Sequence, residues 1–163
     1  MKIVKEEPKT GKLLKKYSFN VHVESLAKIS KNVASRILHA YNGERYFSYN
    51  AKNYVEKDNG SLDGKAYITY PLNVVVEIDI KNCRTTGELL WIISRAYKKI
   101  YKEENSTSKI KEISSKDRCK RGGLQNRNTT NGSYGIWGHD LRDLYFEGIE
   151  IYDNRRIHIS MGS

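Results

Sequence analysis

The residues best suited to chemistry stand together in the segment GHDLRD, Gly138 to Asp143. His139 is followed there by Asp140 and, three residues later, by Asp143. Imidazole and carboxylate groups hold divalent cations and transfer protons, so this spacing suits a divalent metal site or an acid–base pair. A structural role fits the same residues, with Asp140 capping a short turn and His139 bonded to a backbone carbonyl.

The His139-Asp140 doublet is similar to the one found in metal-dependent phosphohydrolases. That family also needs further His and Asp ligands on helices, whereas two of the three other histidines here fall in predicted strands. Neither cysteine stands beside a histidine, and no Gly-x-Ser-x-Gly elbow occurs. We therefore predict a binding protein more readily than an enzyme, and we assign no catalytic residue, metal or cofactor.

Binding is indicated by the aromatic and basic residues that surround the doublet. Tyr134 and Trp137 are flat stacking surfaces among the glycines at 132, 135 and 138, and a guanidinium and an amide stand just upstream. Base stacking combined with phosphate contacts is a common way to hold a nucleotide or a single strand. The predicted ligand-binding residues are Arg127, Asn128, Tyr134, Trp137, His139 and Arg142. The glycines, arginines and amides of residues 121–132 could also form a backbone nest around an anion.

The charge distribution favours an anionic partner for this site. The net charge is +10. Residues 1–20 contain six Lys against two Glu, and residues 105–131 contain seven Lys or Arg against two acids. Such basic segments suit nucleic acid or a nucleotide, although an AT-rich genome would also enrich Lys, Asn, Ile and Tyr. A third hypothesis is a protein–protein interface at the tyrosine-rich segment Tyr41 to Tyr54, which would also allow self-association.

Periodicity predicts the elements that position these residues. Alternating apolar residues predict strands over Lys16 to Val23, Arg45 to Val55 and Ala66 to Ile80, the last divided at Pro71 because proline donates no ladder hydrogen bond. In the first strand, His22 is expected on the solvent face.

Apolar residues at three- and four-residue spacing predict two helices. One begins at a cap on Ser25 and ends near Tyr41; the other follows the capping box Thr85 to Glu88 and ends near Glu104. From Leu144 onward we predict a hairpin, with a β-bulge at Glu147-Gly148 and a two-residue turn at Asp153-Asn154.

Together these elements predict a single α+β domain. It has an antiparallel or mixed sheet of about five strands, covered mainly on one face by two helices, and it ends in the C-terminal β-hairpin. Residues 13–163 form this domain, with a long basic loop at 105–131, and residues 1–12 form a basic flexible tail broken by Pro8 and Gly11. No stretch approaches ~20 apolar residues and no apolar signal segment is visible. We therefore expect a soluble intracellular protein with reduced cysteines and no membrane partner.

Overall fold

The computed structural model describes residues 1–34, 62–113, 115–120 and 127–163. Its strands are β1 Lys2–Val4, β2 Leu13–His22, β3 Gly64–Ile68, β4 Val75–Ile80, β5 Tyr145–Tyr152 and β6 Arg156–Gly162. Its helices are α1 Val23–Lys28, α2 Lys31–Ala34, α3 Thr86–Thr107 and α4 Ser115–Lys120, with a 3-10 helix at Leu141–Asp143. The predicted strand at Arg45 to Val55 and the tyrosine-rich segment lie outside the described residues.

The strands form one mixed sheet in the order β1-β4-β3-β6-β5-β2. Every neighbouring pair is antiparallel except β3 and β6, which are parallel. The α+β prediction, with its C-terminal hairpin, is confirmed. No described helix is long and apolar enough to cross a bilayer.

One face of the sheet carries the core. Its residues include Ala66, Val76, Ile78, Phe146, Ile149 and Ile157, each 5% exposed or less. Helix α3 supplies the side chains that pack against this face of the sheet. They include Leu89, Ile93, Tyr97 and Ile100, which are also almost fully buried. Burying these apolar side chains is the main stabilising contribution to the fold.

The opposite side of the sheet, here called the polar face, carries charged and hydroxyl side chains. In-register pairing places Lys65 beside Arg156 on β6, and Glu150 on β5 beside His158. Residues 5–12 connect β1 at one edge of the sheet to β2 at the other. The polar face includes Lys16, Lys65, Tyr67, Glu77, Glu150, Tyr152, Arg156 and His158.

The structure corrects the predicted N-terminal tail. Lys2–Val4 pairs with β4 as an edge strand. The connection that follows is tied to the hairpin turn, because Asn154 donates to the carbonyl of Lys9 and the N–H of Lys12 donates to Asp153. Pro8 and Gly11 fall in this connection rather than preventing all regular structure.

The first helical region also differs from the prediction. The N-cap is His22 rather than Ser25, because Nδ1 of His22 accepts the N–H of Ser25 at 3.2 Å. The other ring nitrogen contacts the carbonyl of Arg142, so His22, which keeps the partial exposure expected on the face away from the core, also joins two segments. Helix α1 ends at Lys28 and α2 begins at Lys31, whereas the sequence predicted one continuous helix from Ser25.

Other predicted boundaries hold, with small shifts. Thr85 caps α3 through a bond from the N–H of Glu88, although Glu88 reaches back to Arg84 rather than to the cap itself. Helix α3 extends to Thr107, so the start of the predicted loop 105–131 is helical. The bulge near Gly148 is confirmed by a register shift between Phe146 and Gly148.

The hairpin turn is longer than predicted. Three residues, 153–155, separate β5 from β6. The third, Arg155, has a φ of 61°, and its N–H donates to the carbonyl of Tyr152 at 3.0 Å. A three-residue loop that ends in a left-handed residue is a common hairpin connection, and it leaves the Arg155 side chain exposed.

Candidate functional site

The predicted site segment folds back on itself between Arg127 and Gly138. The N–H of Arg127 donates to the carbonyl of Gly138 at 3.0 Å, and the N–H of Thr130 donates to that of Ile136 at 2.9 Å. Gly135, with a φ of 63°, and Gly138, with a φ of 70°, supply left-handed backbone where the loop turns. The loop therefore has a defined backbone path, and its side chains divide between interior and surface.

The interior of the loop is organised around Glu104 of α3, which is 0% exposed. Its carboxylate accepts the backbone N–H groups of Gly132 at 2.8 Å, Tyr134 at 2.8 Å and Gly135 at 3.2 Å. Burial raises the pKa of this carboxyl, but bonds from the Thr130 hydroxyl and the three amides outweigh it and lower the pKa overall. The loop thus forms a backbone nest around an anion that the protein itself supplies.

This nest was missed from the sequence. The prediction placed an anion nest in residues 121–132 for an external ligand, and residues 121–126 lie outside the described part of the chain. A signal did exist, because Glu104 continues the helical stripe of Tyr97, Ile100 and Tyr101. An acidic residue at a core position of a helix needs buried donors nearby.

Arg127 is also an interior residue, with 1% exposure. Its guanidinium donates to Glu112 at 3.0 Å and to Asn105 at 2.6 Å, lies 3.5 Å from a carboxylate oxygen of Asp140, and sits over the ring of Tyr101. The sequence proposed Arg127 as an exposed fork for a ligand. In the structure, this guanidinium instead connects helix α3, the segment that follows it and the residues after Gly138.

Asn128 and Tyr134 contact other parts of the chain as well. The Asn128 side chain accepts the N–H of Ile113 at 2.8 Å and donates to the carbonyl of Lys111 at 3.1 Å, so it pairs with the backbone of that segment. Tyr134 is 7% exposed and its hydroxyl donates to Glu103. Neither side chain presents a free surface for stacking or for an anion.

Trp137 and His139 are partly exposed and lie together with Tyr70. The Tyr70 ring meets Trp137 edge-on at 5.1 Å between centroids and lies 5.5 Å from His139. The Tyr70 hydroxyl contacts that of Ser163 at 3.1 Å. We call Tyr70, Trp137 and His139 the aromatic cluster; it lies beyond the C-terminal ends of β3 and β6.

The acidic residues of GHDLRD do not join His139 in a metal site. Asp140 is paired with Arg127 and, at 3.2 Å, with the exposed Arg142, while Asp143 accepts the N–H of Asp140 at 2.8 Å. Burial raises the pKa of Asp140, as does the nearby charge of Glu112. Within the described ranges, no group of three His, Cys, Asp or Glu side chains converges as a metal site.

A groove at the other end of β3 and β6 was not predicted. It encloses about 550 Å³ where Gly64 and Lys65 meet the hairpin turn, and Pro8 of the N-terminal connection forms part of its wall. Its charged lining consists of Lys65, Lys81, Arg155, Arg156, Asp63 and Asp79. Sequence periodicity could place Arg156 in a strand, but only the parallel pairing of β3 with β6 brings Lys65 beside it.

Arg156 is the unusual member of this lining. It is 7% exposed, its Nη2 is paired with Glu7, and its guanidinium lies over the ring of Tyr152 at 5.4 Å. Its Nε and Nη1 are buried without an acceptor among the described residues. These two nitrogens carry three N–H bonds, and buried donors of a charged group are costly unless they are satisfied.

Comparisons with protein families, curated proteins and solved structures found no match for the chain.

The geometry of the groove suits binding through ionic hydrogen bonds. Lys65 is held by Glu77 at 2.8 Å with 51% of its side chain exposed, so its ammonium group is oriented at the groove margin. Arg155 and Lys81 are exposed cations that line the same groove. Hydrogen bonds between an ionised donor and an oxyanion are shorter and stronger than those between neutral groups, so these cations suit an anionic ligand.

Proposed function

We propose that the protein is a non-enzymatic binding module for an anionic partner of the nucleotide or nucleic-acid class, and that the anion binds in the groove at Arg156. The supporting observation is the buried guanidinium whose Nε and Nη1 have no acceptor within the described ranges. An incoming oxyanion would provide acceptors for these donors and would be attracted by the surrounding cations. The basic net charge would further speed the encounter.

This anion site lies outside the loop after Arg127, where the sequence predicted it. Arg127 and Asn128 are engaged by protein groups, and Tyr134 is buried. The aromatic cluster remains available as a stacking surface because Trp137 and His139 keep partial exposure. It is a secondary contact for a partner long enough to reach it.

The test is a titration of the protein with nucleotides and with single-stranded oligonucleotides at low and high salt. We expect binding that weakens as salt rises, and a loss of roughly tenfold or more in Arg156→Ala, because an ionic hydrogen bond contributes about 1.5–3 kcal/mol. Arg142→Ala is the matched control, since it removes an exposed arginine outside the groove.

Two outcomes would overturn the proposal. One is the absence of binding by both ligand classes; the other is equal loss in the Arg156 and Arg142 variants. Because Arg156 is buried, thermal unfolding of each variant is recorded first. Lys81→Gln, which removes an exposed groove cation, gives a second measure that does not disturb the interior.

The other two hypotheses receive no comparable support. Metal-dependent hydrolysis would need His139, Asp140 and Asp143 to converge, and their side chains have different partners. The protein–protein interface was predicted at Tyr41 to Tyr54, outside the described residues. Both stay predictions from the sequence.

A further inference from the structure

We infer that the groove takes a small phosphomonoester that carries hydrogen-bond donors, a ligand the size of a mononucleotide, rather than a nucleic-acid strand. This inference rests on the proposed function and narrows its ligand class. It depends on the dimensions of the groove, the donors of Arg156, the two carboxylates in the lining and the distance to the aromatic cluster.

The dimensions of the groove favour a small molecule. About 550 Å³ falls within the ~300–1,000 Å³ range of small-molecule sites. The N-terminal connection limits the groove, because Pro8 forms part of its wall and the neighbouring Glu7 is paired with Arg156. On this side the chain itself forms the wall of the groove, which favours a compact ligand over one that continues past it.

The donors of Arg156 favour a terminal phosphate. Arg156 lines the groove, its buried Nε and Nη1 have no acceptor in the described part of the chain, and the exposed cations Lys81 and Arg155 lie in the same lining. A phosphomonoester presents three terminal oxygens and carries about −1.5 to −2 charge at neutral pH. It can therefore use several of these donors at once, whereas the bridging phosphodiester of a strand has only two free oxygens.

The carboxylates in the lining favour a ligand that also donates hydrogen bonds. Asp63 and Asp79 stand in the same groove as the four cations; Asp63 already accepts the N–H of Cys83 at 3.3 Å, and Asp79 is exposed. Carboxylates accept hydrogen bonds from hydroxyl and amino groups but repel a second phosphate. A mixed lining thus suits one anionic group attached to a sugar or a base, and it opposes a row of phosphates.

The aromatic cluster is too far away to serve the same small ligand. The groove lies at Lys65 and Arg156, near the beginnings of β3 and β6, while Tyr70 and Ser163 follow their ends. Six residues of strand span about 20 Å. Only a strand of several nucleotides could contact both places, so Trp137 distinguishes the two ligand types.

The experiment compares four probes by isothermal titration calorimetry: a nucleoside 5′-monophosphate, its parent nucleoside, inorganic phosphate, and a single-stranded oligonucleotide of about 12 nucleotides. We expect the monophosphate to bind at least roughly tenfold more tightly than the nucleoside or phosphate alone. The oligonucleotide should bind no more tightly than the monophosphate. Asp79→Asn should weaken the monophosphate but not phosphate, and Trp137→Ala should change neither.

Three other results of these titrations would each contradict one of the claims. An oligonucleotide that binds roughly tenfold more tightly, and that weakens in Trp137→Ala, overturns the small-ligand inference while leaving the proposed function standing. Phosphate binding equal to that of the monophosphate overturns the role of the two carboxylates. If none of the probes binds, the proposed function itself fails.

Discussion

The carboxylate of Glu104 accepts the backbone N–H of Tyr134 at 2.8 Å, thirty residues further along the chain. The same carboxylate accepts the amides of Gly132 and Gly135, so one helical side chain holds the turn of the whole loop. This relationship explains why a glycine-rich, polar loop has a defined backbone path. It also provides the first of four predictions on stability.

Glu104→Gln should destabilise the protein by about 3 kcal/mol. The amide that replaces the carboxylate brings N–H donors toward backbone donors and removes the charge that strengthens the remaining bonds. Urea denaturation followed by circular dichroism measures the change. Glu24→Gln is the control, because Glu24 forms a surface helical pair with Lys28, a kind of pair worth under about 1 kcal/mol. Similar losses of stability in the two variants would contradict the role of the Glu104 carboxylate in holding the loop.

The lowered pKa of Glu104 also predicts a pH dependence. A carboxyl whose pKa is lower in the folded state stabilises the fold above its unfolded pKa, and this stabilisation is lost as pH falls through the folded value. The stability of the native protein should therefore fall as the pH drops below about 5. In Glu104→Gln this part of the decrease should be absent. The urea midpoints of the native protein and of Glu104→Gln are compared across that pH range. Parallel curves of midpoint against pH would contradict the contribution of Glu104.

Arg127→Ala should destabilise the fold by about 3–5 kcal/mol, since it leaves the carboxylates of Glu112 and Asp140 without their shared buried cation. Asp140, whose pKa burial already raises, should then become easier to protonate. Chemical denaturation gives the stability. Anion binding should be unchanged once corrected for the folded fraction, because this guanidinium does not line the groove. A direct loss of affinity in folded protein would return Arg127 to the binding site.

Gly135→Ala tests the left-handed turn of the loop. Its φ of 63° is unfavourable for alanine, and an added Cβ would lie 2.8 Å from the side-chain nitrogen of Asn73. We expect a loss of about 1–3 kcal/mol. Combining it with Asn73→Ala removes the 2.8 Å contact with the amide but keeps the backbone strain and the 3.0 Å contact with the Cβ of residue 73, so part of the loss should remain relative to Asn73→Ala alone. Full recovery in the double variant would assign the whole effect to the contact.

Much of the fold was predictable because its signals are local. The alternation from Ala66 to Ile80, the break at Pro71, the Thr85 cap and the extra residue near Gly148 each reflect backbone chemistry within a few residues. The boundaries of the elements differ from the prediction where a residue distant in the sequence makes a contact. His22 displaced Ser25 as a cap while also contacting the carbonyl of Arg142, 120 residues away.

The candidate site was less predictable because residue type does not reveal burial. Arg127, Asn128 and Tyr134 have the chemistry of ligand contacts, yet each is used to hold the chain together. Arg156, by contrast, looked like an ordinary strand residue. Its unpartnered donors arise only from its position beside Glu7 and Lys65 in the folded sheet.

The sequence by itself determined the α+β class, the hairpin and the basic character of this protein, because periodicity, turn residues and charge are local properties. Tertiary structure alone decided which charges face inward and which remain available. The physical reason is that a buried charge must find its partners across the fold. Glu104 finds its partners in the loop. The guanidinium of Arg127, its Nε excepted, pairs with Glu112, Asn105 and Asp140, while Arg156 lines the groove with two buried nitrogens that have no acceptor among the described residues.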